Sequence, residues 1–430
     1  MVVAVLFGLF CLILLGTPVL LAIGVVSMMG IFLVEELVPA MFPQRLFAIL
    51  DSFSLLAMPF FILAGSIMSQ GGISKRLVEF AEAAVGHMRG GLAQSNIVAS
   101  MVFSGVSGSS TADTAAIGSI LIPSMNERGY KPGYSAAITA TSSTIGPIIP
   151  PSMVMIIYGS MAGVSIGGLF LAGIIPGILI GLGLMLCVYI QSFFPQFEEL
   201  RAHFGKFNLM RVLKSARKVW VALLAPVIIL GGIISGVFTA TEAGVVTVFY
   251  ALITTFFVYH TFSWKDIPKI LLDSAMTTCQ VVGIISVAGA LGWLLTYLNF
   301  NMQVLSFLTI VSTNPTVVLI MMLLIMLILT MFVESLAILI IFVPVAVFIN
   351  AQFGFNPYYV GLALVMATQI GATTPPVAVL LFVATSISGT TYDQTIRYVY
   401  PFLFTLLLVL MLVVMFPPLT TFIPVTLLGF

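Results

Sequence analysis

Long apolar runs separated by short polar breaks extend along all 430 residues of the chain. The apolar segments fall at about 2–15, 18–34, 46–69, 90–103, 115–125, 133–160, 168–194, 219–236, 240–260, 272–298, 316–333, 336–349, 358–385 and 397–416. Runs of roughly 18 or more apolar residues are typical of helices that cross a hydrocarbon core. The pattern predicts an all-α polytopic membrane protein.

Four of these segments form two pairs that are too short to cross singly. Segments 90–103 and 115–125 flank a polar tract from Ser104 to Thr114, and segments 316–333 and 336–349 flank Glu334. A helix must cover a core of about 30 Å to span a membrane. We therefore expect two re-entrant helical hairpins, with the whole polar tract forming the tip of the first.

Two longer segments contain matched double prolines. Gly146 precedes Pro150-Pro151 with the same spacing as Gly371 precedes Pro375-Pro376. Proline removes a backbone donor and clashes with the preceding turn. Irregular backbone at membrane depth is tolerated only where protein covers it or it lines a cavity. The sequence therefore predicts two broken helices with free carbonyl oxygens.

These features belong to an ordered series of internal matches at offsets of 221 to 225 residues. The matched pairs are Asp51 with Asp273, Asp113 with Glu334, Pro123 with Pro344, Pro132 with Pro357, and Pro176 with Pro401. Counting the segments as crossings and the hairpins as re-entrant makes the two copies enter from opposite faces. An inverted-topology repeat of this kind is typical of secondary transporters.

The same count of membrane crossings places nearly all the positive charges on one side of the membrane. One side receives Lys75, Arg76, Arg89, Arg128, Lys131, Arg201, Lys206, Arg211, Lys214, Arg217, Lys218, Lys265, Lys269 and Arg397. Only Arg45 falls on the other side. The positive-inside rule makes the first side cytoplasmic and places both termini in the periplasm.

Composition narrows the functional classes. Charged residues make up 7% of the chain, against about 25% in soluble proteins, and the net charge of +1 disfavours a nucleic-acid partner. Cys11, Cys187 and Cys279 stand alone, so we expect neither disulfides nor a thiolate metal site. No ATP-binding or hydrolase motif occurs, which argues against an enzyme.

The polar breaks and membrane acids are the candidate chemistry. Hydroxyls and unwound carbonyls suit sodium, although small polar residues also serve helix packing. Asp113 and Glu334 are functional candidates because ionisable groups are rare in membranes. Each could balance a cation, orient a hairpin tip or contact a substrate hydroxyl. Helix capping is the alternative, more so for Asp113 than for Glu334, which has apolar neighbours.

Residues 126–179, beginning NERGYKPGYSAAITATSSTIGPIIPPS, resemble the large membrane subunit of tripartite ATP-independent periplasmic (TRAP) transporters. The tracts FSGVSGSSTADTAAIGSILIPSM, FVESLAILIIFVP and GATTPPVAVLLFVA fit the same family. The resemblance covers essentially the whole chain. It implies a sodium-coupled importer of organic acids in the bacterial inner membrane. The implied partners are a small four-helix membrane subunit and a soluble periplasmic substrate-binding protein.

The resemblance also implies an elevator, in which a transport domain slides against a scaffold, and about two sodium sites. The first site would use Ser104, Ser107, Gly146, Ile149 and Pro151. The second would use Thr330, Glu334, Thr368, Gly371 and Thr374. Substrate would contact Ser107, Asp113, Ser152 and Glu334. Many members of the family carry Asp where this chain has Glu334.

The implied organisation follows the repeats. Residues 1–69 and 219–298 are scaffold helices, while 70–194 and 299–416 each contain a hairpin, a broken helix and a following helix. Residues 195–218 form a cytoplasmic linker and 417–430 a periplasmic tail. The run from Phe332 to Pro344 resembles the sialic acid members of the family, which implies sialic acid rather than a C4-dicarboxylate as the substrate. Proton coupling through Asp113 and Glu334, an intramembrane enzyme and a channel are the competing hypotheses.

Overall fold

The computed structural model describes residues 1–201 and 207–429, so Lys206, expected on the cytoplasmic side, lies outside the described residues. The first half contains α1 (Val2–Leu14), α2 (Val19–Leu33), α3 (Met41–Leu50), α4 (Ala57–Gln70), α5 (Ile73–Val85), α6 (Gly91–Ser107), α7 (Ser110–Glu127), α8 (Pro132–Ser142), α9 (Met153–Ala162) and α10 (Ile166–Gln191). The second half contains α11 (Leu209–Ile234), α12 (Ala240–Ile253), α13 (Ile267–Tyr297), α14 (Phe300–Val311), α15 (Pro315–Thr330), α16 (Ser335–Phe353), α17 (Pro357–Gly371), α18 (Val379–Ser388), α19 (Tyr392–Met415) and α20 (Pro418–Leu428).

The described residues confirm an all-helical fold suited to a membrane. Within residues 1–201 and 207–429, seven helices are long and apolar enough to cross a bilayer, or eight if the bent pair α14 and α15 forms one span. The chain bends by 118° between these two helices. Many large apolar side chains face outward, as expected where lipid rather than water is the solvent.

The two halves present the same kinds of element in the same order. Proline begins both α8 and α17, at Pro132 and Pro357. Left-handed glycines end both α9 and α18, at Gly163 and Gly389. These local signals act through the backbone: proline fixes a helical φ, and glycine adopts a positive φ without penalty. The corresponding elements therefore begin and end for the same physical reasons.

Packing between the halves is reciprocal. The second hairpin helix of each half packs against the helix that follows the other half's break: α7 against α18, and α16 against α9. Away from the hairpins, α2 packs on α13 and α12 packs on α4. The hairpins and broken helices therefore share one packed unit, in which elements from opposite halves of the chain become neighbours.

Several elements differ from the sequence predictions. The apolar run 46–69 is interrupted at Asp51 and Ser52, between α3 and the 3₁₀ turn Phe53–Leu56 that precedes α4. Residues 418–428, expected within a tail, form α20, which packs against α10. Short apolar helices such as α20 are not distinguishable from extended tails by hydropathy alone, because their existence depends on the surface they pack against.

Candidate functional site

The first hairpin has a much shorter tip than the polar tract suggested. Only Gly108 and Ser109, here called the first tip, lie outside α6 and α7. Most of the tract is helical, and within it Ser104 and Thr114 satisfy their hydroxyl hydrogens by donating to the carbonyls of Ser100 and Ser110, four residues earlier, at 2.6 and 2.8 Å. Such bonds let small hydroxylated residues remain within helices.

The first tip rests on the irregular segment 146–152, here called the first break. Gly108 has a φ of +60°, and a Cβ built on it would lie 2.5 Å from the carbonyl oxygen of Pro151. A Cβ built on Gly146 would lie 3.2 Å from the carbonyl oxygen of Ser109. The backbone amide of Met153 donates to the carbonyl of Gly108 at 3.5 Å. Glycine at both contacts lets the two backbones approach this closely.

The second half repeats this contact. Residues 331–334, the second tip, separate α15 from α16, and residues 372–378, the second break, separate α17 from α18. The amide of Val377 donates to the carbonyl of Met331 at 3.3 Å. A side chain at Gly371 would collide with Thr330 Oγ1. Each hairpin tip thus meets the broken helix of its own half through backbone contacts.

Oxygen atoms around the first tip have spare acceptor capacity. The hydroxyl of Ser107 is buried without a hydrogen-bond partner among the described residues. Within the same part of the chain, no hydrogen bond ends on the carbonyl oxygens of Gly146, Ile149 or Pro151. A hydroxyl such as that of Ser104, which donates to a carbonyl, retains both lone pairs. The donor set is hard oxygen, which fits an alkali cation.

The predicted residues of the second sodium site have fewer free acceptor atoms than those of the first. The hydroxyls of Thr330 and Thr368 donate to carbonyls of their own helices at 2.9 and 2.8 Å. The hydroxyl of Thr374, in the second break, donates to the carbonyl of Ile370 at 2.7 Å, and all three hydroxyls keep their lone pairs available. The carbonyl of Gly371, however, accepts the amide of Thr374 at 3.0 Å. The side-chain oxygens of this set therefore fit a cation better than the Gly371 carbonyl does.

Asp113 and Glu334 have the reverse of their expected capping roles. Ser109 caps α7, and both carboxylate oxygens of fully buried Asp113 have no hydrogen-bond partner among the described residues. Glu334 is instead the N-cap of α16, because its Oε2 accepts the amide of Ala337 at 3.1 Å. Asp113 was the stronger candidate for capping because Asp is common at helix starts. Its position four residues after Ser109 puts it inside the helix.

Ser152 connects the first break to α9. Its hydroxyl donates to the carbonyl of Pro147 at 2.6 Å and accepts the amide of Met155 at 3.2 Å. The side chain is fully buried. Ser152 is therefore a local cap in this structure, and both of its contacts stay within the first break and α9.

One site residue carried no signal in the sequence prediction. Ser110 donates its hydroxyl hydrogen to Oε1 of Gln369 at 3.0 Å, and Gln369 is 1% exposed on α17. The bond joins the start of α7 to the broken helix of the other half. The signal that could have found it is Gln369 itself, a glutamine beside Thr368 in the mainly apolar run 358–371.

Hairpin tips that meet proline-broken helices inside a polytopic helical bundle define a membrane transport protein. Residues 6–419 match the family model described as "Tripartite ATP-independent periplasmic transporter, DctM component". The chain belongs to this family of TRAP transporter large permeases, which are transport proteins rather than enzymes. Membership makes it a multi-pass inner-membrane protein and one part of a tripartite system.

Individual relatives are similar in sequence to this chain over most of their length. A putative TRAP transporter large permease protein from Haemophilus influenzae is 37% identical over 95% of both chains. The C4-dicarboxylate permease DctM of Pseudomonas aeruginosa is 37% identical over 88% of both. The sialic acid permease SiaM of Vibrio cholerae is 35% identical over 99% of this chain and 98% of its own.

A solved structure shares the fold. The antimetabolite efflux pump MtrF of Neisseria gonorrhoeae superposes with a TM-score of 0.60 at 11% identity, covering 87% of this chain and 82% of that one. At this identity the likeness concerns architecture alone. The helical organisation described above therefore extends beyond TRAP permeases.

Proposed function

We propose that this chain imports an organic acid anion in symport with sodium, by an elevator movement of the hairpin unit. The observation that carries the proposal is the repeated contact between a hairpin tip and a broken helix, Gly108 with Met153 and Met331 with Val377. Both contacts surround hard oxygen atoms suited to sodium. The proposal includes opposite membrane orientations for the two halves, with both termini in the periplasm.

Sodium would fall at two places. Ser104, Ser107, Gly146, Ile149 and Pro151 would supply oxygen at the first tip and first break. Thr330, Thr368 and Thr374 would supply hydroxyls at the second, with Glu334 contributing charge and Gly371 permitting close approach. Sodium bound near Asp113 and Glu334 would offset their repulsion of an anionic substrate.

The substrate class is supported by relatives named for different organic acids. Beside the C4-dicarboxylate and sialic acid permeases, relatives are named for isethionate and 2,3-diketo-L-gulonate. We propose an organic acid anion, with sialic acid favoured over a C4-dicarboxylate, lying between the tips near Ser107, Ser152 and Glu334. A small membrane subunit and a periplasmic binding protein would complete the system.

The test is uptake into proteoliposomes that contain this chain, its small membrane subunit and its binding protein. Labelled sialic acid and labelled succinate are compared under an inward sodium gradient. We expect uptake of sialic acid only when sodium is outside, since the gradient supplies the energy. Unchanged uptake with potassium in place of sodium would exclude sodium symport, while uptake of succinate alone would overturn the substrate assignment.

Proton coupling is the second candidate, favoured by the two unpartnered carboxylate oxygens of buried Asp113. It predicts uptake driven by an inward pH gradient without sodium. Asp113→Asn and Glu334→Gln would abolish that uptake. Sodium-driven uptake that is indifferent to the pH gradient would reject this candidate.

A further inference from the structure

A cationic cleft lies between α5 and α11, outside the hairpin tips and breaks. Its volume is about 660 Å³. The charged side chains that line it are Lys75, Arg76, Glu79, Arg217 and Lys218. Four cations therefore face one acid. All four belong to the set that the positive-inside rule predicts to be cytoplasmic.

Protein groups neutralise little of this charge. Lys218 Nζ lies 3.4 Å from Glu79 Oε2, and both side chains are largely exposed. Water screens such a pair and limits its strength. No salt bridge involves Lys75, Arg76 or Arg217 within residues 1–201 and 207–429. Three like charges around one cleft create a positive potential that attracts an anion.

Arg76 is held in place but retains hydrogen-bonding capacity. Its guanidinium carbon lies 3.9 Å from the centre of the Tyr259 ring, and the hydroxyl of Tyr259 donates to the carbonyl of Lys218 at 3.0 Å. Arg76 Nη1 is buried and has no hydrogen-bond partner in the described part of the chain. Buried donors normally have partners. A guanidinium fixed in this way matches the oxygens of a phosphate group.

The wall of the cleft is apolar on one side. Trp220 and Val258 line it and are 55% and 48% exposed. Beyond Trp220, residues 221–234 continue α11 as an apolar helix long enough to enter a membrane. Tryptophan favours the boundary between lipid and water. The cleft therefore combines a charged floor at head-group level with contacts for hydrocarbon.

We propose that this cleft binds the phosphate ester of an anionic phospholipid. Arg76, with Arg217 and Lys75, holds the phosphate oxygens, while Trp220 and Val258 contact the glycerol and the first acyl carbons. Basic pockets beside transmembrane helices suit such head groups. The site is separate from the proposed path of the transported anion, so it binds lipid whether or not sodium symport is correct.

The experiment is a titration of the purified full chain followed by native mass spectrometry. Dioctanoyl phosphatidylglycerol is compared with two ligands that also contain a phosphate ester. Dioctanoyl phosphatidylcholine lacks the negative net charge, and glycerol 3-phosphate lacks the acyl chains. The Arg76→Gln/Arg217→Gln variant is compared with Lys265→Gln/Lys269→Gln, which loses the same charge outside the cleft. We expect the first pair to weaken binding of phosphatidylglycerol about thirtyfold, from roughly 1 kcal/mol per cation.

The result expected is selective binding of phosphatidylglycerol by the wild type and by the Lys265/Lys269 control. Equal weakening by both double variants would overturn the site. Equally tight binding of glycerol 3-phosphate would overturn the lipid source and assign the cleft to a soluble phosphate ester. If the Arg76/Arg217 variant melts at a lower temperature than the control, Lys75→Gln, on an exposed residue, replaces it. Unchanged binding by Lys75→Gln would also contradict the proposal.

Discussion

Ser110 and Gln369, separated by 259 residues in the chain, share a hydrogen bond of 3.0 Å between the start of the first hairpin's second helix and the second broken helix. Both side chains lie where the two halves of the protein meet. The bond ties the first tip to an element that belongs to the other repeat. It is therefore suited to keep the two proposed sites in a fixed relation.

A double-mutant cycle measures this relation. Gln369→Met keeps volume but leaves the Ser110 hydroxyl without its acceptor, which costs about 1–3 kcal/mol. Ser110→Ala removes the donor. We expect equilibrium unfolding in mixed micelles to show a coupling of about 0.5–1.5 kcal/mol between the two changes. Additive effects of the two substitutions would mean that the bond contributes nothing to stability.

Ser107→Ala tests the first proposed sodium site. The substitution removes a buried hydroxyl that has no hydrogen-bond partner among the described residues. Loss of one oxygen contact to a charged ion should raise the sodium concentration for half-maximal uptake roughly tenfold. Ser119→Ala is the matched control, because Ser119 is exposed and donates to the carbonyl of Ala116. Identical sodium curves for both variants would remove Ser107 from the site.

Gly108→Ala separates backbone strain from contact at the first tip. Its φ of +60° penalises alanine by about 1–2 kcal/mol. Gly129, with a φ of +86°, carries a similar penalty but has no atom within 4 Å of a built Cβ. We expect Gly108→Ala to melt at a lower temperature than Gly129→Ala, because it adds overpacking against Pro151 to the same backbone penalty, and we expect a loss of uptake only for Gly108→Ala. Normal uptake by Gly108→Ala would contradict a role for the contact with Pro151.

Gly371→Ala tests the close packing of the second broken helix against Thr330. A Cβ there would collide with Thr330 Oγ1 and lie 2.8 Å from the carbonyl of Leu327. Overpacking of this kind typically costs about 1–3 kcal/mol. Gly231→Ala is the control, since a Cβ at this helical glycine meets nothing within 4 Å. We expect a lower melting temperature for Gly371→Ala only, partly restored by Thr330→Ala. Equal melting temperatures of both glycine variants would show that the α15–α17 contact has room for an added methyl group.

The sequence predicted the elements whose signals are local. Proline and glycine positions located both breaks, because these residues restrict or free the backbone whatever surrounds them. The apolar segments 133–160 and 358–385 located the starts of α8 and α17. Short apolar pairs around a polar centre indicated the helix pairs α6–α7 and α15–α16, although α16 is long and apolar enough to span a membrane by itself. The matched spacing of these signals is the basis of the predicted internal repeat.

Features that depend on partners could not be read from the sequence. The polar tract looked like a long tip, yet α6 continues through Ser107 and α7 begins at Ser110, with the hydroxyls of Ser104 and Thr114 bonded to preceding carbonyls. The capping role of Glu334 depends on where α16 begins, which its apolar neighbours do not reveal. The Ser110–Gln369 bond joins residues that only tertiary packing brings together.

Sodium influx measured together with substrate uptake tests the central claim most directly. Proteoliposomes containing the complete transporter receive radiolabelled sodium and labelled sialic acid, without a pH gradient. Sodium entry is predicted to depend on sialic acid and its binding protein, and to fall in parallel with uptake in Ser107→Ala at limiting sodium. Sialic acid uptake unaccompanied by sodium entry would contradict the account.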